Sequence, residues 1–136
     1  MHNMTPREVV EYYYDKVWSQ RCPEAIPSLF AEEYVNHAGA RGTLRGPAGI
    51  EHNYRTTLAA FPDVAMRLDA VLSEGDQVVA RYTMLGTHQD TFLGIAATGA
   101  AISVPGIGIY RVDGGKIRES WVVRDALALL KQLGAA

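Results

Sequence analysis

The chain has one cysteine, Cys22, among its 136 residues. No intrachain disulfide can staple the fold, and the expected compartment is a reducing one, the cytoplasm. Long apolar runs are also missing: none approaches the roughly 20 residues of a membrane span, so no membrane partner is expected. The opening Met1-His2-Asn3-Met4 lacks the apolar core of a signal peptide. Basic charge is sparse and scattered, with 13 Lys and Arg against 15 Asp and Glu and a net charge of −2, which argues against nucleic acid as a partner. The four histidines, His2, His37, His52 and His88, form no pair at the spacing of metal ligands on a strand or helix, and there is no Cys cluster, so no metal is expected. No Gly-x-Ser-x-Gly turn is present for a nucleophilic serine. Internal repeats and low-complexity segments are absent as well.

What remains is an ordinary globular composition, 48% hydrophobic and 21% charged. Its length fits a single domain over 1–136 that buries roughly 70% of its unfolded surface. Thr5-Pro6-Arg7-Glu8 has the form of a capping box with proline at the first helical position. Val9, Val10, Tyr13, Tyr14, Val17 and Trp18 follow at helical spacing, and Pro23 ends the run. A short second helix is expected over 24–31, a brief strand at 34–37, a Gly-rich loop over 38–46, and a third helix opened by Pro47 with Ile50, Tyr54, Leu58 and Phe61 inward.

After Phe61-Pro62-Asp63 the pattern changes to strands. Residues 63–73 alternate, Glu74-Gly75-Asp76 is a turn, and 77–89 forms a long strand with Val78, Ala80, Tyr82, Met84, Gly86 and His88 on one face. A terminal hairpin follows, 102–112 and 116–124 around Asp113-Gly114-Gly115, and then a closing helix to Gly134. Helices first and long strands after imply an α+β fold: a cone-shaped roll with N-terminal helices packed on a curved, mainly antiparallel sheet, and a short C-terminal helix. The mouth of such a cone suits a small molecule.

Within this frame the residues resemble a known family. Tyr34-Val35-Asn36-His37, Phe61-Pro62-Asp63, Gly86-Thr87-His88 followed by Phe92-Leu93-Gly94-Ile95 and Thr98-Gly99, and Gly115-Lys116-Ile117-Arg118-Glu119 leading through Trp121 and Asp125 to Leu130-Lys131-Gln132-Leu133-Gly134 are similar to the SnoaL-like polyketide cyclases. These belong to the superfamily of ketosteroid isomerase and nuclear transport factor two. The resemblance implies aldol-type acid/base chemistry on a small hydrophobic carbonyl compound, with no cofactor. It places the family's proton-transferring aspartate on Asp125 and supporting polar positions on Asn36 and His88. Where the cyclases carry a histidine on the strand before the Asp-Gly turn, this chain has Gly108. That departure keeps two alternatives open: a hydroxylase-like or epoxide-hydrolase-like relative, and a binding protein without a reaction.

The candidate catalytic residues are therefore Asp125 and His88, and the candidate substrate-binding residues are Asn36, His37, Trp121, Tyr82 and Gly108. Each also has a structural reading. Asp125 precedes Ala-Leu-Ala-Leu-Leu and would make a good N-cap; His88 could be an exposed strand-end histidine; Asn36 and His37, as strand neighbours, face opposite ways; and His52 and Asn53 read as surface or rim. By alternation Trp121, Val123 and Asp125 share a face, and an apolar wall of Trp121, Val123, Ile107 and Ile109 would raise a carboxyl pKa. Arg124 is expected to point away from that acid, and Arg81 and Arg111 to lie opposite the pocket face. Val79, Leu85, Ile107, Ile109 and Val122 would form an apolar outer face that pairs the protein into a homodimer or tetramer. The same residues cannot serve both walls, and alternation alone does not choose between them.

Overall fold

The computed structural model describes residues 4–38 and 44–136. The first helix shows local signals becoming structure. Glu8 N donates to Thr5 Oγ1 (3.2 Å) and Thr5 N to Glu8 Oε1 (2.9 Å), closing the capping box at the start of α1 (Pro6–Tyr13). The coil then widens into a π-helical stretch, Tyr14–Ser19. Together they bury Val9, Val10, Tyr13, Tyr14, Val17 and Trp18. The chain turns at Arg21 (φ 57°), whose guanidinium donates to the carbonyls of Trp18 and Val64, both at 2.6 Å.

A 3-10 turn, Pro23–Ala25, and a single-turn helix α2 (Ile26–Leu29) stand where one helix to residue 31 is expected. Strand β1 (Phe30–Asn36) begins earlier than its local sequence suggests, because Phe30 pairs with Ile117 of a distant strand. Part of the expected Gly-rich loop, 39–43, lies outside the described residues. Helix α3 (Gly46–Ala60) follows, then β2 (Ala65–Glu74), β3 (Gln77–Thr87), β4 (Ala101–Asp113), β5 (Lys116–Arg124) and α4 (Ala126–Gln132).

The sheet order is β1-β5-β4-β3-β2, with β1 parallel to β5 and the other pairs antiparallel. This is the expected α+β architecture, with helices on one face of a curved sheet. Along β4 the alternation is clean: Ile102, Val104, Gly106, Gly108, Tyr110 and Val112 are buried, while Ile107 and Ile109 lie on the outer face.

On β5 the alternation changes phase. Arg111 opposes Glu119 but Val112 opposes Ile117, so Arg118 is an extra residue in the ladder. Such a bulge moves every side chain beyond it to the other face. Ile117 and Ser120 therefore both point inward, three positions apart, and both are fully buried. Trp121 and Val123 emerge on the outer face, 40% and 50% exposed, and Val122 and Arg124 turn inward. Val122 thus leaves the expected outer set and Trp121 leaves the expected pocket wall.

Beyond the bulge, Asp125 is exposed. Its Oδ1 accepts from Ala128 N at 2.9 Å, the N-cap of α4. That helix is held to the sheet by Gln132, whose side chain bonds both the N–H and the carbonyl of Ser103. If Asp125 is a cap, Asp125→Ala should cost about 1 kcal/mol in chemical denaturation, whereas Asp125→Asn, which can still accept the bond, should change little.

Candidate functional site

The concave face is paved with tyrosine. Rows of paired residues cross the sheet: Val78–Tyr110–Ser120, Ala80–Gly108–Val122 and Leu68–Tyr82–Gly106–Arg124. Side chains lean over the two glycines. A Cβ on Gly106 would fall within the Tyr82 ring, and one on Gly108 would lie 2.6 Å from Val122 Cγ2. Gly108 thus leaves space on the strand, and Val122 takes it. Helix α1 and the π-helical stretch lower Tyr13, Tyr14 and Trp18 onto this floor, and β1 contributes Tyr34.

The hydroxyls are paired rather than scattered. Tyr14 Oη and Tyr110 Oη are 2.8 Å apart, Tyr34 Oη and Ser120 Oγ 2.6 Å, and Trp18 Nε1 donates to Tyr13 Oη at 3.0 Å. Burial disfavours the phenolate form. It raises the pKa of Tyr13, Tyr14, Tyr82 and Tyr110 and pushes Tyr34 up to about 12. These groups remain neutral donors at ordinary pH.

Two adjoining clefts of about 70 Å³ each are left between the rings, and both touch Tyr13, Asn53, Tyr110 and Val122. The first extends to Tyr34 and Asn36, the second to Tyr14, Met66 and Tyr82. Neither is lined by Asp or Glu, and the described residues include no buried carboxylate.

The sequence candidates separate into three places. Asn36 and Tyr82 reach the concave face. Asn36 Oδ1 accepts from Val122 N (3.1 Å) and Ala38 N (3.2 Å), which leaves its amide N–H groups toward the first cleft. Asn53, read from sequence as surface or rim, lines both clefts from α3.

His88 is fully buried rather than exposed at a strand end. It packs on Phe61 under the segment joining β3 to β4. Thr98 Oγ1 accepts from Ala100 N (3.2 Å), so its own proton can point to His88 Nδ1 at 3.0 Å. Thr98 N donates to the same nitrogen at 3.2 Å. Both contacts place the imidazole proton on Nε2, which is buried with no partner among the described residues.

His37, Trp121 and Asp125 are on the other side. The His37 ring stacks on Trp121 at 5.1 Å, and its Nε2 lies 2.8 Å from Glu119 Oε1. Glu119 also accepts from Arg111 at 2.5 Å. Arg111 first, and His37 second, hold the Glu119 carboxyl below its usual range. Asn36 and His37 do face opposite ways, as strand neighbours must. Contrary to the expectation of a pocket wall, Trp121 and His37 form part of the outer face, and the Asp125 carboxylate caps α4 at the surface instead of facing an apolar wall. The bulge at Arg118 accounts for Trp121. Sequence reasoning placed Tyr13 and Tyr14 only as helix core, gave Tyr34 and Tyr110 no site role, and considered Arg124 only as pointing away from Asp125. The usable signal was parity: Tyr82, Gly106, Gly108 and Tyr110 share one face of adjacent strands.

Among the described residues no group of three or more His, Cys, Asp or Glu could hold a metal ion, and no helix is long and apolar enough to cross a membrane.

No curated protein matches the chain. Among solved structures it is similar to TsrD from Streptomyces laurentii, with 28% identity and a TM-score of 0.86 over 100% of this chain and 99% of that one. It is similar to IdmH from Streptomyces antibioticus, provisionally named a polyketide cyclase, with 28% identity and a TM-score of 0.83 over 98% and 99%. It is also similar to AclR from Streptomyces galilaeus, provisionally named a hydroxylase, with 25% identity and a TM-score of 0.82 over 96% of each chain. The family model for SnoaL-like polyketide cyclase matches residues 8–133, nearly the whole chain, and the chain belongs to that family.

Proposed function

We propose that this SnoaL-like protein is a cofactor-independent enzyme for a small hydrophobic carbonyl compound of polyketide type, handled on the concave face. The observation that carries this reading is the lining of the two clefts: neutral phenol and amide donors against aromatic walls, with no carboxylate. A carbonyl oxygen entering there meets donors already held in place by packing. In the Tyr14–Tyr110 pair one hydroxyl must donate to the other, which leaves the second proton free for a ligand oxygen. Such a chain strengthens its terminal donor. Donors of this kind favour the developing negative charge of an enolate over the neutral ketone, which is the electrophilic half of an aldol-type proton transfer; the α-proton itself passes to a solvent water or hydroxide in the cleft, which returns one to the enolate carbon. A ligand larger than the present clefts needs the rings over Gly106 and Gly108 to swing aside. In this reading Asn36 and Asn53 orient the ligand, Asp125 is a cap, and the single free thiol of Cys22 fits a cytoplasmic protein.

The probe is acetophenone, followed for exchange of its methyl protons with deuterated solvent. The wild type should accelerate exchange. Tyr110→Phe should lose about 10²-fold of that acceleration, while Asp125→Asn should keep it. Exchange that survives in Tyr110→Phe, or that vanishes in Asp125→Asn, would overturn the assignment. Incorporation of labelled oxygen into the probe would favour the hydroxylase-like alternative, and binding without exchange would favour a binding protein.

The raised tyrosine pKa values also predict the alkaline limb of stability. The folded state holds the phenol protons more tightly than the unfolded chain, whose tyrosines titrate near 10.0. The stability they contribute is intact below that pH and is lost as pH rises through about 12, the Tyr34 value. Denaturation midpoints should fall over this window, together with the appearance of tyrosinate absorbance.

We also propose that the outer face joins two copies of this chain. Leu72–Val79–Ile109–Trp121 and Arg81–Ile107–Val123 run side by side across the strands. Leu72, Ile107, Ile109, Trp121 and Val123 are each 37% exposed or more. The patch is rimmed by both signs of charge, Arg81 with Asp69 and Arg111 with Glu119, which lets a two-fold contact complement itself. Sedimentation should show a dimer, and Trp121→Glu should yield a folded monomer. A monomeric wild type at every concentration would refute this interface.

A further inference from the structure

Arg124 is inward-facing on β5, the last residue of the row Leu68–Tyr82–Gly106–Arg124. Its situation differs from that of the other described arginines. Arg7, Arg55, Arg67, Arg81, Arg111 and Arg118 each have a carboxylate within 4.0 Å. Arg21 is held by two backbone carbonyls, and Arg45 is exposed. Arg124 is half-buried, and neither a carboxylate nor a hydrogen-bond acceptor meets it among the described residues. Its guanidinium lies over the Phe92 ring, 5.3 Å from the centroid. Burial lowers its pKa from the usual arginine range. A ring face compensates only part of what a guanidinium loses on leaving water, and its planar fork of N–H donors is left without acceptors.

Two further features connect this cation to the clefts. Tyr82 lines the second cleft, and the hydroxyl end of its ring occupies the space where a Gly106 side chain would begin, Gly106 being the one residue between it and Arg124 in the row. Any side chain at position 106 would fill the path that the tyrosine crosses. The charge of Arg124 is also felt at the Tyr82 phenol, where it opposes the effect of burial. Arg124 itself lines neither cleft, so a ligand on the concave face reaches its fork only by extending past Tyr82.

We infer that Arg124 is a binding residue for an acidic group, and that the ligand of the concave face is a hydrophobic carboxylic acid, its carboxylate taken by the Arg124 fork and its apolar body lying against Tyr82. This inference rests on the concave-face reading above and narrows its substrate class from carbonyl compounds to those that also carry a carboxylate. Bidentate guanidinium–carboxylate geometry supplies orientation as well as affinity, and it would fix which end of the ligand enters the tyrosine clefts first.

The test is a pair of single-ring probes of similar shape, benzoate and acetophenone, titrated into the full chain and followed by the Arg124 side-chain and Tyr82 ring resonances in NMR. Benzoate should bind roughly tenfold more tightly than acetophenone and shift the Arg124 Nε–H signal. Arg124→Met should abolish this preference while leaving acetophenone affinity unchanged. Arg124→Lys, which keeps the charge without the fork, should fall between, and it provides the comparison if the methionine variant does not fold. Equal binding of the two probes by the wild type, or a benzoate preference that survives in both variants, overturns this inference alone. If neither probe binds, the concave-face reading falls and this inference falls with it.

Discussion

One unpaired residue in β5 decides which chemistry each face of the sheet can carry. Arg118 has no partner on β4, so the strand beyond it is read in opposite phase to the strand before it. Without that bulge, Ile117, Glu119, Trp121 and Val123 would share the core-facing side, with Ser120, Val122 and Arg124 outside. With it, the small Ser120 comes under Tyr34, Val122 covers Gly108, and Arg124 reaches Tyr82's row. The indole goes to the outer face, where His37 and Glu119 join it.

The interior that results is electrically unusual for a buried surface. It is rich in polar atoms, yet most are hydroxyls satisfied by one another, and burial keeps the phenols neutral. Hydroxyl pairs suit this place because each oxygen can both give and accept, so a pair leaves one proton free without burying a charge. A carboxylate at the same depth would need charged partners or a protonated state, and the structure instead keeps its acids at the periphery. Among the described residues, the Arg124 guanidinium and the buried His88 Nε2 are two nitrogen donors that no protein acceptor answers. In both cases the arrangement is preorganised from outside: by Thr98 for the imidazole, and by Phe92 and the absent side chain of Gly106 for the guanidinium.

The outer face follows different rules. Its apolar residues come from four adjacent strands and lie in register, so they form a continuous area although none is adjacent to another in sequence. Glu119 sits between Arg111 and His37, which keeps the acid ionised and fixes the imidazole against Trp121. This polar edge carries both signs of charge beside the apolar patch. Ile107 and Ile109, which alternation left open between a substrate wall and an outer face, lie on the outer face, and Trp121 and Val123 join them there.

Much of the architecture was legible without coordinates. The capping box at Thr5, the proline stops, the Asp-Gly-Gly turn and the strict alternation of β3 and β4 are local signals, carried by backbone preferences and spacing that hold wherever the segment lies. The family resemblance rested on short segments at 34–37, 61–63, 86–99 and 115–134, and extended over the chain. The early start of β1 was not legible, because Phe30 becomes a strand residue only through its partner 87 positions away, Ile117. Nor was the side taken by Trp121, Arg124 and Asp125. Alternation has a period but no origin, and a single bulge, visible only in the pairing of two strands, resets its phase. Local spacing is enough to group the residues that share a face. Tertiary pairing decided which of them face the ligand, because that depends on a ladder register no single strand contains.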